Sequence, residues 1–252
     1  MSAAAPLEVV TLGAGNYCAT RRYYTSLLLI GGGERVLVDC PEPIFRICAE
    51  AARRSGREVD PAKIDRIIIS HIHGDHCNGL ESLGFWRRFT LGESRRPTIH
   101  TSRAAADSLR RKLAVSMTEA TLPPKGEEAR YRIEDYYEFD EIENGGVIRI
   151  GEMEIATHPT IHSVPCFGIR ATCGGRTFGY SCDTSYSKEL IDFLAPSDLI
   201  FHECGDGMHT PLASLEALPE AIRKKMRLIH VADDFAGSEK IELAEEGRVY
   251  RV

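Results

Sequence analysis

Ser70-His-Ile-His-Gly-Asp-His-Cys77 is the stretch on which the reading of this chain turns, because it puts His71, His73, Asp75 and His76 within six residues. Side chains two apart on an extended segment point the same way, so His71 and His73 address one point in space. The glycine at 74 lets the chain turn and carry Asp75 and His76 toward a second point. Chance histidines on a polar loop seldom repeat this spacing. The pattern is far more specific than a lone histidine pair and reads as a metal site.

Working outward, residues 64–70 form an apolar, β-branched run and residues 36–39 another, so His71 and Asp39 both follow strand ends. Residues 8–12 read as a strand, and residues 25–30 and 36–39 as a hairpin around Gly31-Gly-Gly33. Helical spacing covers residues 43–55, and a short strand at 98–100 leads to a helix over 102–115. Residues 117–140 are polar, with Pro123-Pro124, and are expected to be a lid, a dimer contact or a solvated excursion. Strands are expected at 147–150, 153–157, 168–172 and 177–181, with Asn144-Gly-Gly146 and Cys173-Gly-Gly175 as turns. A helix over 187–193, a strand over 199–202, a helix over 211–225 and a strand over 227–230 complete this reading.

One segment cannot complete two metal sites, and further donors are expected at other strand ends. His162 in Thr160-Ile-His-Ser-Val-Pro165, Asp183 in Tyr180-Ser-Cys-Asp-Thr184 and His230 in Arg227-Leu-Ile-His-Val231 fit. His158 competes with His162. His100 reads as a surface or capping residue, and Cys77 and Cys204 as packing groups. Strand alternation at 177–181 is expected to turn Cys182 away from the face that carries Asp183.

At 252 residues and 43% hydrophobic composition the chain suffices for one sizeable core, read as a single domain over 1–252. A formal charge of -6 argues against a surface devoted to polyanions. The longest apolar run, Leu27-Leu-Leu-Ile30, is too short to span a bilayer, and no signal-like start precedes it, so a cytoplasmic protein without membrane contact is expected. The eight cysteines form no C-x-x-C pair and read as reduced thiols.

Taken together, Val36-Leu-Val-Asp39, the H-x-H-x-D-H motif, His162, Asp183 and His230 resemble the metallo-β-lactamase fold superfamily over nearly the whole chain. The following Ser163-Val-Pro-Cys-Phe-Gly168 resembles the family's segment after its third motif, which favours His162 over His158. The resemblance implies an α/β fold, a four-layer αββα sandwich of two mixed β-sheets flanked by helices. It implies one metal on His71, His73 and His162, a second on Asp75, His76 and His230, and Asp183 bridging. Asp75 would also orient the attacking hydroxide, and Asp39 would support a ligand rather than bind metal. An all nitrogen and oxygen donor set suits two Zn2+, with Mn2+ or Fe2+ as alternatives.

The C-terminal third narrows the substrate. Phe201-His-Glu203-Cys, Met208-His209-Thr210 and His230 are similar to elements of ribonuclease Z and related phosphodiesterases, in which a glutamate orients a histidine near the leaving oxygen. Glu203 and His209 would then act as a positioning carboxylate and a general acid. Only Ala171-Thr-Cys-Gly-Gly-Arg176 links the strands between His162 and Asp183, where long ribonucleases Z insert a tRNA-clamping arm. The compact form is similar to cyclic-nucleotide phosphodiesterases, including anti-Pycsar enzymes. That implies a small phosphodiester substrate, no stable nucleic-acid complex, and a homodimer to which the aromatic stretch 131–139 would contribute. A ribonuclease Z-like endonuclease, a lactonase-type hydrolase on the same metals and a metal-stabilised binding module are the competing readings.

Overall fold

The computed structural model describes residues 6–92, 95–122, 127–143 and 145–252. Its first strands, β1 (Glu8–Gly13), β2 (Ser26–Gly31) and β3 (Glu34–Val38), are antiparallel neighbours. Gly32 and Gly33 turn the β2–β3 hairpin with φ of 58° and 80°, the left-handed values that a tight two-residue turn demands. After α1 (Ile44–Ser55) the sheet continues in parallel through β4 (Arg66–Ile68) and β5 (Thr98–Ser102), with α2 (Gly74–Cys77) and α3 (Gly79–Phe85) between them. The Ser102 hydroxyl accepts from the Ala105 amide at 3.3 Å and caps α4 (Arg103–Met117). A separate hairpin, β6 (Glu119–Leu122) with β7 (Glu127–Arg130), precedes β8 (Glu138–Ile142), which pairs in parallel with β5.

The second sheet opens with four antiparallel strands, β9 (Val147–Ile150), β10 (Met153–Pro159), β11 (Phe167–Cys173) and β12 (Arg176–Tyr180). It passes α5 (Lys188–Leu194) to β13 (Leu199–Glu203), then α6 (Leu212–Glu216) and α7 (Glu220–Arg223) to β14 (Met226–Ile229) and β15 (Glu242–Leu243), all joined in parallel. The closing strand β16 (Val249–Arg251) returns to the first sheet beside β1. Each sheet has seven strands, and the two pack face to face with helices outside, the four-layer α/β sandwich expected.

The residue pattern explains the layering. Leu27 and Leu29 of β2 point into the core between the sheets, where Phe178, Phe201 and Ile229 meet them, while Leu28 faces α1 and α4 through Ile44, Ile47 and Leu109. A strand covered on both faces has no polar side to show, so it reads as an unbroken apolar run. On the far face of the second sheet Ile200, Met226 and Leu228 pack with Leu190 and Leu194 of α5.

Four expectations need correction. The helix over 211–225 is two short ones, because Pro219 cannot continue the first and starts the second. Two further strands, β15 and β16, follow the strand that was expected to end the chain. The end of 117–140, from Ile133 on, is no lid or solvated excursion: it leads into β8, and Tyr136 and Tyr137 are buried beneath the helix layer, the Tyr137 hydroxyl donating to the Leu80 carbonyl at 2.5 Å. The Pro123-Pro124 pair and Asn144 lie outside the described residues. His100 is neither a surface nor a capping residue. It lies buried on β5, where its Nδ1 sits 2.8 Å from the Asp140 carboxylate and burial lowers its pKa.

All eight cysteines are free thiols. No helix among the described residues is long and apolar enough to cross a membrane.

Candidate metal centre and catalytic cleft

Parallel strands deliver their C-terminal ends to one edge of a sheet, and loops leaving that edge converge. Here β3 and β4 of the first sheet lead into Asp39 and His71, while β12, β13 and β14 of the second lead into Asp183, Glu203 and His230. His162 follows the end of β10. Three of these junctions are strained. Asp39, Cys182 and His230, with φ of 60°, 52° and 57°, are the non-glycine residues with positive φ among the described residues. Each such conformation costs about 1–3 kcal/mol and persists where the surroundings enforce it, typically at functional sites.

Two of the donor clusters that result share one carboxylate. His71, His73, His162 and Asp183 form the first; Asp75, His76, His230 and Asp183 form the second. In the first, His73 Nδ1 is 3.1 Å from His71 Nε2 and 3.0 Å from His162 Nε2. In the second, His76 Nε2 lies 3.3 Å from Asp75 and 3.4 Å from Asp183, and His230 Nε2 lies at the same two distances from them. Tetrahedral donors at about 2.05 Å from a metal stand roughly 3.3 Å apart, so groups at these separations could hold an ion between them. His76 Nε2 and Asp183 Oδ1 are buried yet make no hydrogen bond, which leaves their lone pairs for a cation.

In the first cluster protonation fits the same reading. Burial pushes His71 well below the usual imidazole range, lowers His73 and brings His162 down to about 4, so these rings are neutral and able to ligate near pH 7. Burial works against the charge on Asp75, but the His230 and His76 rings beside it hold it below the usual carboxylate range. Burial likewise opposes charge on His76, and there Asp183 and Asp39 prevail and raise it.

Asp39 stands behind the cluster, as expected. Its Oδ2 accepts from His76 Nδ1 at 2.8 Å, and Ser70 donates to it from both its amide, at 2.9 Å, and its hydroxyl, at 2.8 Å. That bond fixes the tautomer that presents His76 Nε2 to the site. The Ser70 hydroxyl also meets His71 Nδ1 at 3.1 Å, a link that the sequence reading missed although Ser70 adjoins the motif.

Cys182 is not turned away from the site as strand alternation predicts. Strand β12 stops at Tyr180, so alternation does not govern Cys182, and its left-handed backbone places Sγ 3.7 Å from His71 Nδ1 and 3.5 Å from Cys166 Sγ. It lies behind the ring, on the side away from the donor nitrogen. Cys77 packs under the motif within 3.2 Å of Lys112 Nζ. His158 bonds the Pro159 carbonyl at 2.7 Å and rests on Phe193, outside both clusters.

Glu203 and His209 meet beside the second cluster. Fully buried Glu203 accepts from the Thr184 amide at 3.0 Å and the Thr210 amide at 3.1 Å, and its other oxygen is 3.1 Å from His209 Nδ1. Burial raises Glu203; the bond to Glu203 raises His209. The His209 ring lies 5.1 Å from that of His230. A cleft of about 930 Å³ opens over both clusters, and the loops carrying Tyr17, Met208, Asp234 and Phe235 form its wall. Tyr17, Asp234 and Phe235 belonged to no recognisable motif, since a rim residue has no fixed spacing from a ligand, and Met208 was singled out only as the neighbour of His209.

The family described as "Anti-Pycsar protein Apyc1" matches residues 7–250. An anti-Pycsar protein Apyc1 of Saccharibacillus brassicae is 28% identical, across 98% of this chain and 100% of its own length. The cAMP/cGMP-dependent 3',5'-cAMP/cGMP phosphodiesterase B of Dictyostelium discoideum is 27% identical over 73% of this chain, a match spanning 17% of that longer protein. Among solved structures, the metallo-beta-lactamase fold protein YhfI from Bacillus subtilis superposes with a TM-score of 0.79 at 21% identity, covering 98% of this chain and 100% of its own.

Proposed function

This chain belongs to the anti-Pycsar protein Apyc1 family and is a metal-dependent hydrolase, and we propose that it is a dinuclear phosphodiesterase acting on a small phosphodiester such as a cyclic nucleotide. The observation that carries the proposal is the shared carboxylate: Asp183 belongs to both donor clusters, with the Glu203–His209 pair 3.1 Å apart at the cleft edge. His71, His73 and His162 would hold one ion, Asp75, His76 and His230 the other, and Asp183 both. Zn2+ suits these donors, with Mn2+ or Fe2+ as alternatives. When bound, such a pair supplies Lewis acidity toward a phosphoryl oxygen and lowers the pKa of water toward neutrality.

The chain's own residues supply the rest. Asp39 and Ser70 hold His76 and His71 in the required orientation, and Asp75 would hold metal and orient the attacking water. Glu203 keeps His209 protonated on Nδ1 and stabilises the imidazolium, and the ring donates a proton to the departing alkoxide oxygen. A poor leaving group needs that proton most.

The cleft favours a small substrate over an RNA: among the described residues lining it there is no lysine or arginine to neutralise successive phosphates. Strands β11 and β12 are joined by a tight turn at Gly174-Gly175, with no room there for a tRNA-clamping arm. The homodimer implied by the family resemblance belongs to the proposal, and sedimentation of the metal-loaded protein tests it.

Metal-loaded protein should hydrolyse bis-p-nitrophenyl phosphate and 3',5'-cyclic nucleotides, with nitrocefin, a lactone and a 3'-extended tRNA as competing substrates. Absence of phosphodiester turnover beside turnover of the lactone or nitrocefin would overturn the proposal.

A further inference from the structure

Two thiols meet behind the first donor cluster. Cys166 Sγ stands 3.5 Å from Cys182 Sγ, which in turn stands 3.7 Å from His71 Nδ1. Neither sulfur has a part in the hydrolytic reading, because His71 offers the cluster its other nitrogen, 3.1 Å from His73 Nδ1. A single buried thiol is ordinary packing. Two in contact are one oxidation away from a covalent bond.

The pair can be reached without passing through the metal cleft. A second cavity, of about 330 Å³, is walled by Cys166 with Ser102, Thr160, Ser163 and Phe167, and His162 borders both this cavity and the cleft. Cys166 keeps 7% of its surface exposed, whereas Cys182 has none. An oxidant little larger than water therefore meets Cys166 first.

Both thiols are also tied to segments that carry donors. The Thr160 amide donates to the Cys166 carbonyl at 3.0 Å, and the Thr160 hydroxyl to the Asp183 carbonyl at 2.8 Å. Thr160 lies two residues before His162, and Cys182 immediately precedes Asp183. Cys182 is held at φ 52°, a conformation that its surroundings must enforce. Drawing the two sulfurs together thus pulls on His162 and on the carboxylate that both clusters share.

We propose that Cys166 and Cys182 form a site of reversible oxidative modification: hydrogen peroxide joins them in a disulfide, which misaligns His71, His162 and Asp183 and so loosens metal and slows hydrolysis. The inference goes beyond the phosphodiesterase reading, since the sulfur chemistry is the same whatever ester is cleaved. The Cys166 sulfur attacks one peroxide oxygen, the O–O bond breaks, and the departing hydroxide takes the thiol proton as water, leaving a sulfenic acid. Cys182 Sγ then attacks Cys166 Sγ. The S–S bond forms, the S–O bond breaks, and the hydroxyl leaves with the Cys182 proton as a second water. The two thiols lose two electrons and two protons, and the peroxide is reduced to two waters. A dithiol reductant reverses the step by exchange. The sulfurs must close from 3.5 Å to about 2.05 Å, and a misplacement of about 1 Å at a catalytic centre costs on the order of 100-fold in rate.

The test uses zinc-loaded full-length protein, because zinc has no redox chemistry of its own. After treatment with hydrogen peroxide, peptide mass mapping should find the fragments bearing Cys166 and Cys182 joined, and zinc should pass to a chelator faster than from untreated protein. In the same sample kcat toward bis-p-nitrophenyl phosphate should fall about 10- to 100-fold, and dithiothreitol should restore it. Cys166→Ser should keep its zinc and its activity under peroxide. Cys182→Ala should stop at the Cys166 sulfenic acid, which dimedone labels. Thiols that both remain open to alkylation after peroxide, a joined pair with zinc release unchanged, or an equal effect of peroxide on Cys166→Ser overturns the proposal. Absence of phosphodiester turnover removes the function proposed above instead, and the disulfide map and zinc release then decide this site without it.

Discussion

Two carboxylate–imidazole pairs sit at this site, Asp39–His76 and Glu203–His209, and they differ in what the far side of each ring faces. Both acids are fully buried, and both raise the pKa of the histidine they hold. His76 turns its Nε2 onto Asp75 and Asp183, inside a closed cluster. His209 is bound through Nδ1 and lines the open cleft, with 14% of its side chain exposed. The same pairing therefore suits a metal ligand in one place and a proton donor in the other. A third histidine sharpens the contrast: His202 adjoins Glu203 in sequence but has only a backbone carbonyl at 2.7 Å, and burial takes it down to about 4.

If this division of labour is right, the largest effect comes from the carboxylate that both clusters share. Asp183→Asn should lose at least one ion, measurable by elemental analysis, and lower kcat by about a thousandfold or more, since Lewis acidity and water activation fail together. Full activity with a complete metal complement would break the assignment. Next, His209→Ala should keep both ions while kcat toward an alkyl phosphodiester falls about 10²- to 10⁴-fold, with far less loss on p-nitrophenyl esters whose leaving group needs no proton. Loss of metal in that variant would place His209 on the ligand side of the comparison.

A smaller effect is expected behind the cluster. Asp39→Asn should weaken metal affinity about 10- to 100-fold, the usual consequence of removing a carboxylate from a ligating imidazole, and competition with a chelator measures it. An equal loss in Glu203→Gln would erase the distinction between the two pairs.

The smallest effect concerns stability. His202 has a folded pKa of about 4, below the unfolded value near 6.5, so the fold favours the neutral ring. Its contribution is fully present above pH 6.5 and is lost as pH falls from 6.5 toward 4, amounting to about 3 kcal/mol at most. Denaturant unfolding of His202→Leu should thus show a smaller drop in stability between pH 7 and pH 5 than the unmodified protein does.

The two halves of the site were not equally legible. Residues 71–76 bring four donors together over six positions, where local geometry alone orients them and little loop closure is needed. The other half is drawn from His162, Asp183, Glu203, His209 and His230, which the chain spreads over 69 positions and which stand out only as chemical groups at expected strand ends. Their order along the chain identified them, through the resemblance to a superfamily; their spacing did not. The strands were readable because the sandwich core demands apolar runs, whereas β8 was hidden inside a polar segment, its register set by β5 rather than by its own alternation. His100 was misplaced for the same reason, since its burial follows from β8 covering the edge of β5.

By itself the sequence determined that a dense cluster of nitrogen and oxygen donors follows a buried strand, because ligand chemistry and strand periodicity are local properties of a few residues. Tertiary structure alone decided that Asp39, Cys182 and His230 adopt left-handed backbone to close the site, and that Tyr17 and Phe235 share a wall. Those are distances between residues far apart in the chain, and they exist only once two sheets have buried their faces against each other and brought the ends of their parallel strands to a common edge.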